Sequence, residues 1–164
     1  MNQPGEALAL AISHAAAITT RYVEDLNGDE WLRRPHAEAN CAAWAVGHLV
    51  LTARHMMTRA GAPADDLPAL PDGFDKRFAR DEAAPKAADY GDTSVLLPLF
   101  KEHHERLAAV ARNASPERLD TSLNSNHPFF RTVGTMLAFA PVHIATHAGQ
   151  IIIIRRVLGR PIIA

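Results

Sequence analysis

The chain has 164 residues, 48% of them hydrophobic, and a formal net charge of −1 at pH 7. This length and composition suffice for one well-buried core, so we expect a single domain over residues 1–164. The near-neutral charge, without any block of Lys or Arg, argues against a polyanion-binding surface, and we expect no nucleic-acid partner. The single cysteine, Cys41, excludes an internal disulfide and is typical of a reducing cytosol.

The apolar segments near the two ends favour a soluble protein. The N-terminus lacks a basic region, and His14 interrupts its apolar stretch, which argues against a signal peptide. The isoleucine run at 151–154 meets Arg155 and Arg156 and is too short to span a bilayer. We therefore expect a cytoplasmic protein with no membrane partner.

Hydrophobic periodicity predicts two long helices in the first part of the chain. The first begins near Pro4, which suits a first turn, and ends at the pair Asn27-Gly28. The second begins after Asn40 as its N-cap and ends before Gly61. Each carries an apolar stripe along one side, as expected of helices that cover a common core.

Two further long helices are predicted in the second part. The third begins within residues 92–94, has Pro98 in or near its first turn, and ends near Asn113. The fourth begins near Thr132 and ends at Gly159. Its apolar positions recur at alternating spacings of three and four, which is typical of a helix that faces a core.

A long polar connection over residues 61–92 separates the second and third helices. Connections of this length are uncommon unless they cross over a bundle or form a lid, so helices that follow each other in sequence need not be neighbours. The segment 74–78 (FDKRF) predicts a short helical turn inside the connection, and 115–119 (SPERL) predicts another after the third helix. No segment shows strand alternation. The predicted fold is all-α, a four-helix bundle.

Three histidines occupy positions where a helical core normally has leucine. His143 and His147 are four residues apart, so both rings lie on one face of the fourth helix, about 6 Å apart along its axis. His48 lies on the inward stripe of the second helix. These positions predict a three-histidine site for a divalent metal ion, with one coordination position left for water.

Packing is the competing explanation for these histidines. A single histidine on an apolar face is usually a core side chain, and pairs four residues apart also occur by chance. Position 144 is Ile144, so the glutamate of the HExxH protease motif is absent. Metal ligation accounts for the pair better than packing does, and we take His48, His143 and His147 as the candidate ligands.

Other polar residues are weaker candidates. His103 and His104 are adjacent on the third helix, so their rings point about 100° apart and at most one is expected to face the interior. That one could serve as an acid, a base or a partner of a ligand; the alternative is a solvated surface. Residues 124–131 could border a substrate mouth or merely connect helices, and Gln150 could pack against the metal face or hydrogen-bond to it.

Two motifs occur in order along the chain: Asn40-x-x-x-Trp44-x-x-Gly47-His48-Leu49, and His143-x-x-x-His147-x-Gly149-Gln150-Ile151 followed by Arg155-Arg156-x-Leu158-Gly159-x-Pro161. Together they resemble the DinB-like superfamily of small metalloproteins. The resemblance implies an up-down-down-up four-helix bundle, which agrees with the long connection. It also implies a divalent metal, usually zinc or nickel, held by the residues that correspond to His48, His143 and His147.

The resemblance carries expectations about partners and activity as well. Many members of the superfamily are homodimers. Characterised relatives include thiol-dependent S-transferases and a thiol-dependent isomerase, which implies a low-molecular-weight thiol or another small molecule as a partner. Other members have no known activity, and the family name records DNA-damage induction, not DNA binding.

Two classes of function follow. In the first, the chain is a metal-dependent enzyme of the thiol S-transferase or hydrolase type, and the metal lowers the pKa of a water or thiol at its open position. In the second, it is a non-catalytic metal-binding protein, associated with stress or with protein interactions. A solvent-connected metal beside an apolar pocket favours the enzyme, and a fourth protein ligand favours the alternative.

Overall fold

The computed structural model describes residues 3–79 and 87–162. Their α-helices are α1 (Gln3–Val23), α2 (Ala42–Arg59), α3 (Phe74–Phe78), α4 (Leu96–Asn113), α5 (Pro116–Leu119) and α6 (Val133–Val157). Within the described ranges the extended pairing is limited to an isolated bridge between Ser122 and Thr132. The all-α prediction is confirmed, and both predicted short helices are present as α3 and α5.

The helix ends follow the expected signals with two corrections. The N-cap of α2 is Cys41, one residue beyond the predicted Asn40. Helix α1 ends at Val23, before the predicted stop at Asn27, because Asn27 begins a separate 3-10 turn over 28–32. The backbone N–H of Asn27 donates to the carboxylate of Glu30 at 3.0 Å, which closes that turn.

The four long helices, α1, α2, α4 and α6, form the core by packing against one another in pairs. Both α1 and α2 pack against α4, and both also pack against α6. The start of α1 lies beside the end of α4, where Arg112 and Glu6 form an ion pair at 2.9 Å. The apolar faces of all four helices are buried between them, so the core is continuous along the helices.

Helix α6 is long and apolar enough to cross a membrane by length and composition. The four isoleucines at 151–154 are only a short part of this apolar helix, so their length alone does not decide whether it could span a bilayer. It packs against α1 and α2, 39% of its apolar window is buried within the protein, and its arginine at position 155 is completely buried.

Arg155 joins the end of α6 to the end of α1. Its guanidinium donates to the carbonyl of Tyr22 at 2.8 Å, to the carbonyl of Pro161 and to the carboxylate of Asp25. Arg160 donates to the same carboxylate at 3.1 Å. The adjacent guanidinium of Arg155 holds the pKa of Asp25 below its usual value, so the carboxylate stays ionised and every donor of the buried guanidinium has an acceptor.

We predict that Arg155→Met destabilises the protein strongly. The substitution removes a buried set of charge-assisted hydrogen bonds and leaves the Tyr22 and Pro161 carbonyls without their donor, at a cost on the order of 2–4 kcal/mol in the free energy of unfolding. Arg156→Met is the matched control, because Arg156 is exposed on the next position of the same helix. Urea denaturation measures both variants, and equal midpoints would contradict the role given to Arg155.

Candidate metal centre

Helices α2 and α6 bring the three predicted ligands together. The nearest ring nitrogens of His48, His143 and His147 all lie within 4.8 Å of one another, a grouping that could hold a metal ion. His147 is buried, and His48 and His143 are half-buried. The group therefore lies at the edge of the core, where two of its rings are partly exposed to solvent.

His48 is held in one orientation by two contacts. Its Nδ1 lies 3.0 Å from the carbonyl oxygen of Phe78. Because a carbonyl only accepts, Nδ1 carries the proton and Nε2 carries the lone pair. The ring also stacks on Trp44, with centroids 4.7 Å apart and planes 6° from parallel. A hydrogen bond of this kind is the usual way in which proteins orient a metal-binding imidazole.

Phe78 comes from the long connection, through the short helix α3. Phe74 and Phe78 are both buried, and α3 packs against α2. The Phe78 ring lies over Gly47 so closely that a Cβ at position 47 would be 2.2 Å from it. The small residue before His48 thus admits this ring, and the contact sets the position of the carbonyl that orients His48.

His147 is oriented by its own helix. Its Nδ1 lies 2.9 Å from Oε1 of Gln150, so Nδ1 donates and Nε2 carries the lone pair. That Nε2 is 3.1 Å from Nε2 of His143. Burial lowers the pKa of His147 to about 4, which keeps the ring neutral at physiological pH. A neutral imidazole with its lone pair on Nε2 is the form that binds a cation, and a metal ion would replace the contact with His143.

Both His103 and His104 are buried, which corrects the expectation that at most one faces inward. Helix α4 packs against both α1 and α2, so its buried arc is wide enough for two adjacent residues. Each donates from Nδ1 to a carbonyl of its own helix, at Leu99 and Phe100 respectively, at 2.8 Å. Burial lowers the pKa of both and brings that of His104 to about 4.

A small cavity lies between His104 and the candidate site. Its volume is about 10 Å³, and His143 and Thr52 also line it. This is room on the order of one water molecule. Neither His103 nor His104 belongs to the three-histidine group, so both are core residues in this arrangement, and His104 reaches the site only across that cavity.

Two surface features adjoin the site. The first is an aromatic cluster from the predicted mouth segment, where Phe129 stacks on Phe139 at 5.2 Å and Phe139 stacks on His143 at 5.9 Å. The second is a surface pocket of about 340 Å³ between residues 35–40 and α6, with Gln150 in its wall. Pockets of this volume accommodate small-molecule ligands.

The described residues form an all-helical protein in which three histidines lie close enough together that they could hold one metal ion. The model of the DinB superfamily matches residues 11–151, most of the chain. The protein therefore belongs to the DinB superfamily, as the two motifs predicted. Comparison with curated proteins and with solved structures gave no match.

Sequence reasoning missed the contribution of the connection to the site. The pair of phenylalanines in FDKRF predicted a short packed turn, but a backbone carbonyl that orients His48 has no signature in the side-chain pattern. The close contact of Gly47 with an aromatic ring has no local signature either, whereas Gly149 faces open space.

We predict opposite effects of alanine at the two glycines beside the ligands. Gly47→Ala forces the Phe78 ring away from α2 and should destabilise the protein by about 1–3 kcal/mol. Gly149→Ala meets nothing within 4 Å and should raise stability by up to about 1 kcal/mol through helix propensity. Urea denaturation of the metal-free protein measures both. Equal stability of the two variants would rule out the proposed fit of Phe78 over Gly47.

Proposed function

We propose that this protein binds one divalent metal ion, zinc or nickel, through His48, His143 and His147. The observation that carries the proposal is the convergence of three imidazoles, two of which donate from Nδ1 to fixed acceptors and so leave Nε2 available to a metal. Nitrogen donors of this type suit zinc and nickel better than calcium or magnesium, which prefer oxygen.

The bundle topology of the superfamily is part of the proposal. Arg155 connects the ends of α1 and α6, which suggests that these helices run in the same direction. The Glu6–Arg112 pair connects the start of α1 to the end of α4, which suggests opposite directions. Trp44 lies beside His147, while Thr52 lines the cavity beside His143, which supports an antiparallel arrangement of α2 and α6. These contacts support an up-down-down-up arrangement.

We further propose that the site is catalytic. A metal bound there acts as a Lewis acid and acidifies a water or thiol at a position that protein ligands do not fill. The chain itself supplies three orienting contacts: Phe78 holds His48, Gln150 holds His147, and Trp44 covers one face of the His48 ring. Three histidines leave one tetrahedral position open. The substrate class is a small electrophile with a thiol, or a hydrolysable bond.

A non-catalytic metal-binding role, associated with stress or with protein interactions, is the second candidate. The orientation of the ligands would serve a structural metal equally well. The surface pocket beside Gln150 and the half-buried state of two ligands favour the enzyme, because structural zinc sites are closed.

Metal binding is tested by elemental analysis and by the fluorescence of Trp44. The parent protein should contain about one metal ion per chain, and His143→Ala and His147→Ala should each lower that content sharply. Nickel should quench Trp44 in a Trp31→Phe background, because the Trp44 ring stacks on His48. His55→Ala is the control, since His55 is an exposed residue of α2. Unchanged metal content in both ligand variants would refute the site.

Catalysis is tested in two stages. Cobalt-substituted protein should have the intense visible absorption of four-coordinate Co²⁺, and a small thiol should change that spectrum if it enters the open position. Low-molecular-weight thiols with electrophilic acceptors, together with ester and amide substrates, should then give turnover that is absent in His48→Ala. Turnover that survives complete removal of the metal would contradict the mechanism, and a fourth protein ligand would favour the non-catalytic role.

We also propose a cytoplasmic homodimer that binds neither nucleic acid nor membrane. The family supports dimerisation, and the outer face of α6 supplies an apolar surface with Val142, Ile153 and Val157 exposed by 55%, 45% and 46%. Their spacings of eleven and four place them on one stripe of the helix. A stripe of this kind fits a second copy of itself around a twofold axis.

Sedimentation tests the dimer and its surface. The parent protein should sediment as a dimer at micromolar concentration, and Ile153→Glu should yield monomers because two like charges would face each other across the axis. Leu10→Glu on α1, at a residue exposed to a similar extent, should remain dimeric. A parent protein that is monomeric at micromolar and higher concentrations would count decisively against the proposal.

A further inference from the structure

Three nearly parallel rings lead from the candidate metal centre to the surface. We call Phe129, Phe139 and His143 the aromatic row. The centroids of Phe129 and Phe139 are 5.2 Å apart with planes 6° from parallel, and those of Phe139 and His143 are 5.9 Å apart with planes at 17°. Phe129, at the outer end of the row, is 55% exposed. The row therefore connects a candidate ligand directly to an apolar surface.

The segment that carries Phe129 is held by its own hydrogen bonds. The backbone N–H of Leu123 donates to the carbonyl of Arg131 at 3.0 Å, and that of Phe130 donates to the carbonyl of His127 at 3.1 Å. The N–H of Phe129 donates to Nδ1 of His127 at 3.3 Å. The His127 ring stacks on Phe130 at 4.1 Å. Phe129 is thus presented in a defined position although its ring is not buried.

An exposed phenylalanine in a defined position contributes little to the core. Here the exposed ring continues into two half-buried rings beside a polar site, and an apolar surface rimmed by polar residues is typical of a ligand-binding groove. A preformed aromatic surface also binds with little loss of conformational entropy. The ring planes of the row favour a flat ligand, because aromatic rings pair best in offset stacks.

We propose that the aromatic row binds an aromatic arm of the substrate whose reactive group lies at the three-histidine site. This inference rests on the proposed function and names the substrate class for the same site. Phe129 is two ring spacings from His143, so the substrate is elongated, with its aryl group separated from its reactive group by a spacer that covers this distance. The arm contributes binding energy remote from the reacting atoms, and that energy positions them.

Three imidazole probes test the inference on the cobalt-loaded protein: imidazole, N-butylimidazole and N-(phenylbutyl)imidazole. Each enters an open metal position through its ring nitrogen, and the visible spectrum of Co²⁺ reports the Kd. In the parent protein the phenyl group should tighten binding about tenfold relative to the butyl compound. Phe129→Ser should abolish that gain. Ile18→Ser, an exposed apolar residue on α1, should retain it.

The outcomes separate the inference from the proposed function. If no probe binds to the cobalt-loaded protein, the open position does not exist, and both the catalytic proposal and the aromatic-arm inference are overturned, while metal binding itself is decided by the metal content. If imidazole binds but the phenyl group gives no gain, or if the gain persists in Phe129→Ser, only the aromatic row is refuted. Sedimentation of Phe129→Ser completes the test. If this variant loses both the dimer and the affinity gain from the phenyl group, Phe129 belongs to the subunit interface, and its role in binding the arm is overturned.

Discussion

The hydrogen bond from Nδ1 of His48 to the carbonyl of Phe78 is the contact on which the candidate site depends. It connects helix α2 to the long connection, and it determines which nitrogen of His48 carries the lone pair. The Phe78 ring can reach that position only because residue 47 is a glycine. The orientation of His48, the packing of the connection and the glycine at position 47 therefore depend on one another.

The five buried or half-buried histidines of α2, α4 and α6 differ in ring orientation. This difference distinguishes the core histidines from the candidate metal ligands. His103 and His104 donate to carbonyls four residues earlier in their own helix, and the Nε2 of His103 has no hydrogen-bond partner among the described residues. His48 donates instead to another element, and His147 donates to a side chain. The three rings that converge belong to α2 and α6, which pack against each other.

Sequence patterns predicted the helices well, because apolar periodicity, caps and glycines are local signals. They also predicted the three-histidine group, since HIATH places two rings on one face and His48 lies on an inward stripe. They failed for His104, because periodicity does not reveal that α4 has two packing partners. They gave no sign of the buried Arg155, since its partner Asp25 lies 130 residues earlier and only the tertiary fold brings the two together.

The contact between Phe78 and His48 has a consequence for divergence within the family. The connection that carries Phe78 is outside the four long helices, and surface connections vary in sequence and length more readily than core elements do. Because this connection supplies the acceptor for a candidate ligand, changes in it can tune the basicity and aim of that imidazole while all three histidines stay the same. Exchange of residues 61–92 between relatives would then change the orientation of the residue at position 48 without any substitution among the three histidines.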